Sequence, residues 1–457
     1  MMPSLAFSTD DVRPQGKLLL TGGRVLDPAC GRDEVTDVLI DDGKLEAIGS
    51  NLKAQLGHAP TLTEVALTPN HWITPGLVDV HVHLRDPGYP DKETIATGLA
   101  AAVAGGFTHI CAMPNTHPTT DNLPTAHYVQ EQVRRANSIE VFLIPAITKG
   151  LEGKELTEMA LLKANGAVAF TDDGCCVKAS DRMRHALSWA KVLDLPIMSH
   201  AEDTDLSGKG CMHEGVHSTR LGLPGVPSEA ETVMISRDIE LTRLTGGRLH
   251  LTHVSTARGV EMIRQAKAEG LPVTADVTPH HLTLNDSHVA SSGYDPDFKM
   301  NPPLRSEADR QALVQGLQDG TIDAIATDHA PHTPDEKLQS FDAAPCGVTG
   351  LETAFGVLNT QLVQSGILSP LALITKMSYA PAQIFKLPNA GTLALNAPAN
   401  LTIFDANAQW MVDPNLFMSK GRNCPFKGML LSGKPVMLLS QGRCLLGAER
   451  MRQPVSA

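Results

Sequence analysis

Apolar positions recur along this chain with two different periods. Near both ends they alternate with polar ones. "LLLTGGRVLDP" and "DVLIDDGKLEAIG" lie between residue 17 and about 70, and "ANLTIFD" (399–405) and "MLLSGKPVMLLSQGRCLL" (429–446) lie near the C-terminus. Alternation interrupted by Gly, Pro and Asp predicts strands joined by tight turns, with "DDGK" at 41–44 as a hairpin tip. Strand patterns at both ends can share one sheet.

Between the ends the pattern changes. Strand-like apolar runs fall near 77–83, 107–113, 141–147, 167–172, 196–201, 248–254, 272–278 and 323–328. Helix-period stretches such as "KETIATGLAAAVAG" (92–105), "DRMRHALSWAKVL" (181–193) and "EAETVMISRDIELTRL" (229–244) separate them. Eight alternating β and α units predict a (β/α)8 TIM-type barrel, whose chemistry sits at the C-terminal ends of its strands.

The polar residues closing each run are therefore the candidates. The first run, "VDVHVH", carries two imidazoles. With period 2, Val78, Val80 and Val82 share one face while Asp79, His81 and His83 share the other. Two imidazoles on one face can converge on one cation, and neutral imidazole is a common zinc ligand. Run four closes in Asp172-Asp173, run five in His200, run six in His253 and run eight in Asp328. Singly, each has a plain reading as a loop cap, a core imidazole or a helix N-cap. Five such endings on one rim form a constellation that points to a metal site. Asp173 rather than Asp172 is the inward residue by parity, because it shares the small-residue face of Ala167, Ala169 and Thr171. His280-His281 is not needed to complete such a site, and His109 and His117 read as surface residues. In "DHAPH", His332 follows Asp328 by four residues and falls in the loop over the pocket.

Composition narrows the partners. The chain has 457 residues, 42% hydrophobic and 19% charged, with a formal net charge of -12. That acidity argues against nucleic acid or an anionic membrane as the main partner. No apolar run approaches a membrane span, and "MMPSLAFSTDDVRPQGK" lacks a secretory h-region, so a cytoplasmic location is expected. Eight cysteines without a C-x-x-C pair fit reduced thiols.

"DVHVHLRDPG", "MPNT", "AFTDDG", "SHAED", "THVSTA", "KMNPPLR", "ATDHAPH" and "SKGRNCPFKG", in this order, resemble the dihydroorotases of the amidohydrolase superfamily. The resemblance implies reversible cyclisation of N-carbamoyl-L-aspartate to L-dihydroorotate in pyrimidine synthesis. It further implies a barrel (73–388) joined to a composite β-sandwich built from both chain ends (1–72 and 389–457). His81, His83 and Asp328 match the ligands of one zinc ion, and His200 and His253 those of a second. Asp173 matches the bridging aspartate that replaces the carbamylated lysine of many superfamily members; the nearest lysine, Lys178, belongs to the following loop. Asp328 matches the proton carrier.

Arg85, Asn115 and His332 match the residues that hold the substrate carboxylate. His83, Asn301 and the backbone of Cys346 and Gly347 resemble further substrate contacts. The plain reading of Arg85 is a surface ion pair with Asp86 or Asp91. Rival assignments are a dihydropyrimidinase, hydantoinase or allantoinase, and a non-catalytic scaffold subunit of aspartate transcarbamoylase. The first group does not demand the Arg85, Asn115 and His332 set, and the second has lost ligands that are all present here. A homo-oligomer, with aspartate transcarbamoylase as a possible partner, is expected.

Overall fold

The computed structural model describes residues 16–56 and 62–452. The N-terminal stretch read above as lacking a secretory signal lies, up to residue 15, outside the described residues. No helix among the described residues is long and apolar enough to cross a membrane.

The two chain ends do share one sheet. Its strands run in the order Arg443–Leu446, Leu430–Ser440, Leu401–Met411, His71–Pro75, Lys17–Asp27, Arg32–Asp41 and Lys44–Gly49, and Leu62–Ala66 pairs with Lys17–Asp27 as an eighth. The joint between the ends is antiparallel, with Ile403 opposite Ile73. Alternate apolar residues from both ends fill a common core: Leu18, Leu20, Val38 and Ile40 from one, Leu401, Ile403, Met437 and Leu439 from the other. The sheet therefore curls around its own buried face, as a sandwich does. Its hairpin tips meet where "DDGK" turns. A Cβ on Gly442 (φ 73°) would stand 2.3 Å from Gly43 Cα, so both the left-handed backbone and the close approach require glycine.

The eight barrel strands lie where the apolar runs placed them and are shorter than the runs. They are Leu77–Val82, Phe107–Ala112, Glu140–Leu143, Phe170–Thr171, Pro196–Ser199, Arg248–Leu251, Val273–Val277 and Ala324–Ile325. The first three form one parallel set and the last five another. Parallel bridges Leu143–Ala167 and Val82–His329 join the sets and close the ring. Helices such as Ile95–Gly105, Ser180–Leu193 and Glu229–Thr245 cover the outside. The first begins at Thr94, whose side chain accepts from Thr97 N, and ends at Gly106 in the left-handed conformation.

Strict alternation fails in the first barrel strand. Against the second strand, Asp79 pairs with Ile110 and Val82 pairs with Ala112, so three steps face two. This bulge breaks the expected common face of the valines. Val78 and Val80 pack with Cys111, Ile144, Ala169, Met198 and Ala326 from strands around the ring, whereas Val82 joins the outer cluster with Leu99 and Ala102 of the first helix. Bulges re-aim side chains beside functional sites, and here the re-aimed pair is His81 and His83. His109 also departs from expectation. It is buried, with Nδ1 2.8 Å from Thr108 Oγ1 and its ring stacked on Phe142, and burial pushes the imidazole down to about 3. It belongs to the core, while His117 is exposed.

Candidate active site

The C-terminal rim of the barrel collects six buried ligand-type side chains. His81 and His83 come from the end of the first strand, Asp173 follows the fourth, His200 the fifth, His253 the sixth and Asp328 the eighth. The backbone bends sharply to deliver them: His253 (φ 37°) and Asp328 (φ 50°) are left-handed, as is Arg85 (φ 59°) just beyond the first strand. Such conformations cost non-glycine residues energy and cluster at functional sites.

Asp173 sits between two histidine pairs. Its Oδ1 is 3.3 Å from His81 Nε2, 3.6 Å from His200 Nδ1 and 3.7 Å from His253 Nε2, and its Oδ2 is 3.5 Å from His83 Nε2. Asp328 Oδ1 lies 3.0 Å from His83 Nε2 and 3.4 Å from His81 Nε2. Two groups, His81-His83-Asp173 and Asp173-His200-His253, each bring their ligand atoms within 4.8 Å of one another. Asp172, its neighbour in sequence, turns away and accepts from Thr148 N at 2.9 Å.

The donor set fits divalent cations. Buried polar atoms normally find partners. Yet His81 Nε2 and Asp173 Oδ1, facing each other, have no hydrogen bond. Burial opposes charge on Asp173 and Asp328, but the nearby imidazoles, His81 foremost, hold both carboxyls below the usual range. Against burial, Asp173 and Asp328 raise His81 to about 9, and Asp173 and Glu202 raise His200 to about 10. Protons and cations compete for these lone pairs, as they do wherever metal binding releases protons.

A further layer orients the imidazoles. His81 Nδ1 is 2.8 Å from Thr252 Oγ1, which in turn donates to Asp276 Oδ2 at 3.1 Å. His83 Nδ1 is 2.8 Å from Asn115 Oδ1. His200 Nε2 is 2.9 Å from Glu202 Oε2, which also accepts from Asn301 Nδ2 at 2.8 Å. A partner on one ring nitrogen sets the tautomer and leaves the other lone pair for a cation.

A cavity of about 200 Å³ opens beside these groups, lined by His83, Arg85, Asn115, Asn301, Cys346 and Gly347 among others. Arg85 is half-buried and turns inward. Its Nε donates to Pro331 O at 3.3 Å, while Asp86 accepts from Tyr128 Oη instead. His332 stands behind this wall, with Nε2 2.8 Å from Cys346 O, Nδ1 3.1 Å from Glu336 Oε2 and Arg85 Nη2 3.4 Å away. Burial, then Arg85 and Lys92, push its imidazole down to about 3, while the Glu336 carboxylate on Nδ1 opposes them. Lys178 is exposed, 3.3 Å from Asp205 and outside the cluster.

The family profile described as "Dihydro-orotase-like" matches residues 70–259. A dihydroorotase of Anaeromyxobacter dehalogenans (strain 2CP-C) is 52% identical over 426 residues, covering 93% of this chain and 97% of its own. One from Pelotomaculum thermopropionicum is 48% identical over 430 residues, covering 94% and 98%. This chain belongs to the dihydroorotase family. Among solved structures, the L-hydantoinase (dihydropyrimidinase) of Arthrobacter aurescens superposes with a TM-score of 0.81 at 25% identity, covering 94% of this chain and 96% of the other. The dihydropyrimidinase of Brevibacillus agri gives 0.79 at 23%. The hydantoinases share the barrel and accessory sheet. The much higher sequence identity lies with dihydroorotases.

Reading the dihydroorotase motifs alone leaves out Glu202, Thr252 and Asp276. Glu202 stood inside "SHAED", two residues past His200, and Asp276 lay in the seventh strand. Only the fold reveals which imidazole each one serves.

Proposed function

We propose that this chain closes N-carbamoyl-L-aspartate to L-dihydroorotate reversibly, with His81, His83, Asp173 and Asp328 holding one zinc ion and Asp173, His200 and His253 holding a second. The observation that carries this reading is the guanidinium of Arg85 on the same small cavity as the paired His and Asp ligand sets. A cationic fork beside a hydrolytic centre suits a cyclic amide that bears a carboxylate. Zinc ions in such a set supply Lewis-acid polarisation of a carbonyl and activation of water near neutral pH.

The chain's own groups do the remaining work. Arg85 grips the substrate carboxylate from one side. Asn115 offers Nδ2 to it while Oδ1 takes the His83 Nδ1 proton. Asn301 and the Cys346-Gly347 backbone bound the opposite side of the ring. His332, with Nε2 at 2.8 Å from the Cys346 carbonyl, steadies the Cys346 wall and completes the carboxylate end of the pocket. In ring opening, Asp328 accepts the proton released as water attacks the ring amide and returns it to the departing nitrogen; in cyclisation it carries the proton the other way. Its Oδ1, beside both His81 and His83, supports that role. The sequence reading adds a cytoplasmic setting, a homo-oligomer and aspartate transcarbamoylase as the partner to test.

The test is turnover by the purified zinc-loaded chain of L-dihydroorotate against dihydrouracil, the same ring without the carboxylate. Preference for dihydroorotate is expected. Faster turnover of dihydrouracil would replace this reading with that of a hydantoinase-type hydrolase.

A further inference from the structure

The carboxylate end of the cavity is made from two segments with little regular structure, 330–332 and 346–349. A third segment, 418–424, crosses both. It arrives from the accessory-sheet strand Leu401–Met411 and reaches the site through Asn423, whose side chain is buried. Asn423 Nδ2 donates to Ala330 O at 3.0 Å and to Gly347 O at 2.9 Å, and Oδ1 accepts from His332 N at 3.1 Å. Its backbone carbonyl accepts from Thr349 N at 2.8 Å. One carboxamide thus ties together both walls.

The rest of the segment is seated firmly. Glu352 accepts from Met418 N and Ser419 N at 3.0 and 3.1 Å, and the fully buried Glu93 accepts from Lys420 N at 3.1 Å and from the Ser419 hydroxyl. Gly421 lies directly on the first wall. A Cβ there would stand 2.7 Å from Pro331 Cβ and 2.8 Å from Thr349 Cγ2. Pro331 is the residue whose carbonyl receives Arg85 Nε.

We infer that the segment 418–424 is a positioning element for substrate binding: through Asn423 and Gly421 it sets the separation between the wall that supports Arg85 and the Cys346-Gly347 wall. This rests on the reading of Arg85 as the carboxylate anchor. The chemistry demands an amide at this point. Aspartate lacks the two donors, and an aliphatic residue leaves two carbonyls and the His332 N–H without partners, so the walls must shift to satisfy them.

Steady-state kinetics on zinc-loaded enzyme test it. Asn423→Ala should raise KM for dihydroorotate about tenfold to a hundredfold, the scale on which remote misplacement of a binding group is felt, with kcat within about threefold and zinc content unchanged. Gly421→Ala, whose Cβ would press on Pro331, on Thr349 and on Asn423 Oδ1 at 2.9 Å, keeps the carboxamide but displaces it with the segment; it should move KM in the same direction and carries the test if Asn423→Ala does not fold. In an Arg85→Met background, Asn423→Ala should add little, because the group it positions is gone. A fall in kcat with KM unchanged, a loss of zinc, or a full additive effect on top of Arg85→Met would overturn the inference. A KM that responds to Arg85→Met but to neither segment variant overturns the positioning role alone. A KM indifferent to Arg85→Met overturns the carboxylate reading and the inference with it.

Discussion

Asp173 Oδ1 stands 3.3 Å from His81 Nε2, and neither of these buried atoms has a hydrogen-bond partner. Two acceptors of protons or metal pointed at each other require something positive between them, and the same Asp173 oxygen faces His200 and His253. Asp173→Ala should therefore lose activity together with much of the bound zinc. Lys178→Ala should retain both, since Lys178 is exposed and pairs with Asp205. A carboxylate bridge needs no carbon dioxide, so zinc reconstitution of the apoprotein should proceed equally with and without bicarbonate. Metal analysis of the two variants decides the matter.

Asp328→Asn keeps an oxygen near His83 but removes the group that accepts a proton. Turnover should fall by about 10² or more, the usual scale of general acid-base catalysis, while the chain stays folded. Near-normal turnover would take Asp328 out of the proton path. Initial rates in both reaction directions check it.

Arg85→Met removes the charged fork from the cavity wall. The loss in kcat/KM for dihydroorotate should correspond to about 2 to 5 kcal/mol, as for a buried charge pair deprived of one partner. Zinc content should not change, because Arg85 lies against Pro331 and His332 rather than the ligand cluster.

Glu202 orients His200 through Nε2. Glu202→Ala should lower zinc affinity by about 10- to 100-fold, the typical effect of losing an outer partner of a ligand. Glu202→Gln, which keeps an acceptor for the imidazole N–H, should recover most of it. Competition with a chelator measures the difference.

Lys337 is buried beneath the loop that follows the site, donating to Pro296 O at 2.8 Å and Pro345 O at 3.0 Å. Burial pushes its ammonium down to about 8 from the usual 10.5, with Asp297, Asp295 and Cys346 opposing and Lys299 assisting. Below about pH 8 folded and unfolded chains both hold the proton and the fold bears the cost of the buried charge. Between 8 and 10.5 the folded chain releases it first, so the unfolded state binds more protons and stability rises with pH. The stability of the native protein relative to Lys337→Met should therefore increase across that interval, as measured by denaturant titration at each pH.

Local pattern by itself placed the barrel strands, the shared sheet of the two ends and the His and Asp residues that close the strands at the rim. Each of these follows from periodicity and from the rule that barrel chemistry occupies strand ends, both of which are properties of neighbouring residues. Tertiary structure decided what depends on register and on contacts between distant segments. The bulge at Asp79–Val82 is invisible to alternation, because the extra residue is defined only against the partner strand. His109 looked like a surface residue and is buried because Phe142, on the next strand, covers it. Glu202, Thr252 and Asp276 became meaningful only when folding brought them to particular imidazole nitrogens. Asn423 joins residues more than seventy positions away, Gly347 and Ala330. No local signal encodes such a contact, since a hydrogen bond needs two groups within about 3 Å, and only the packed fold brings these together.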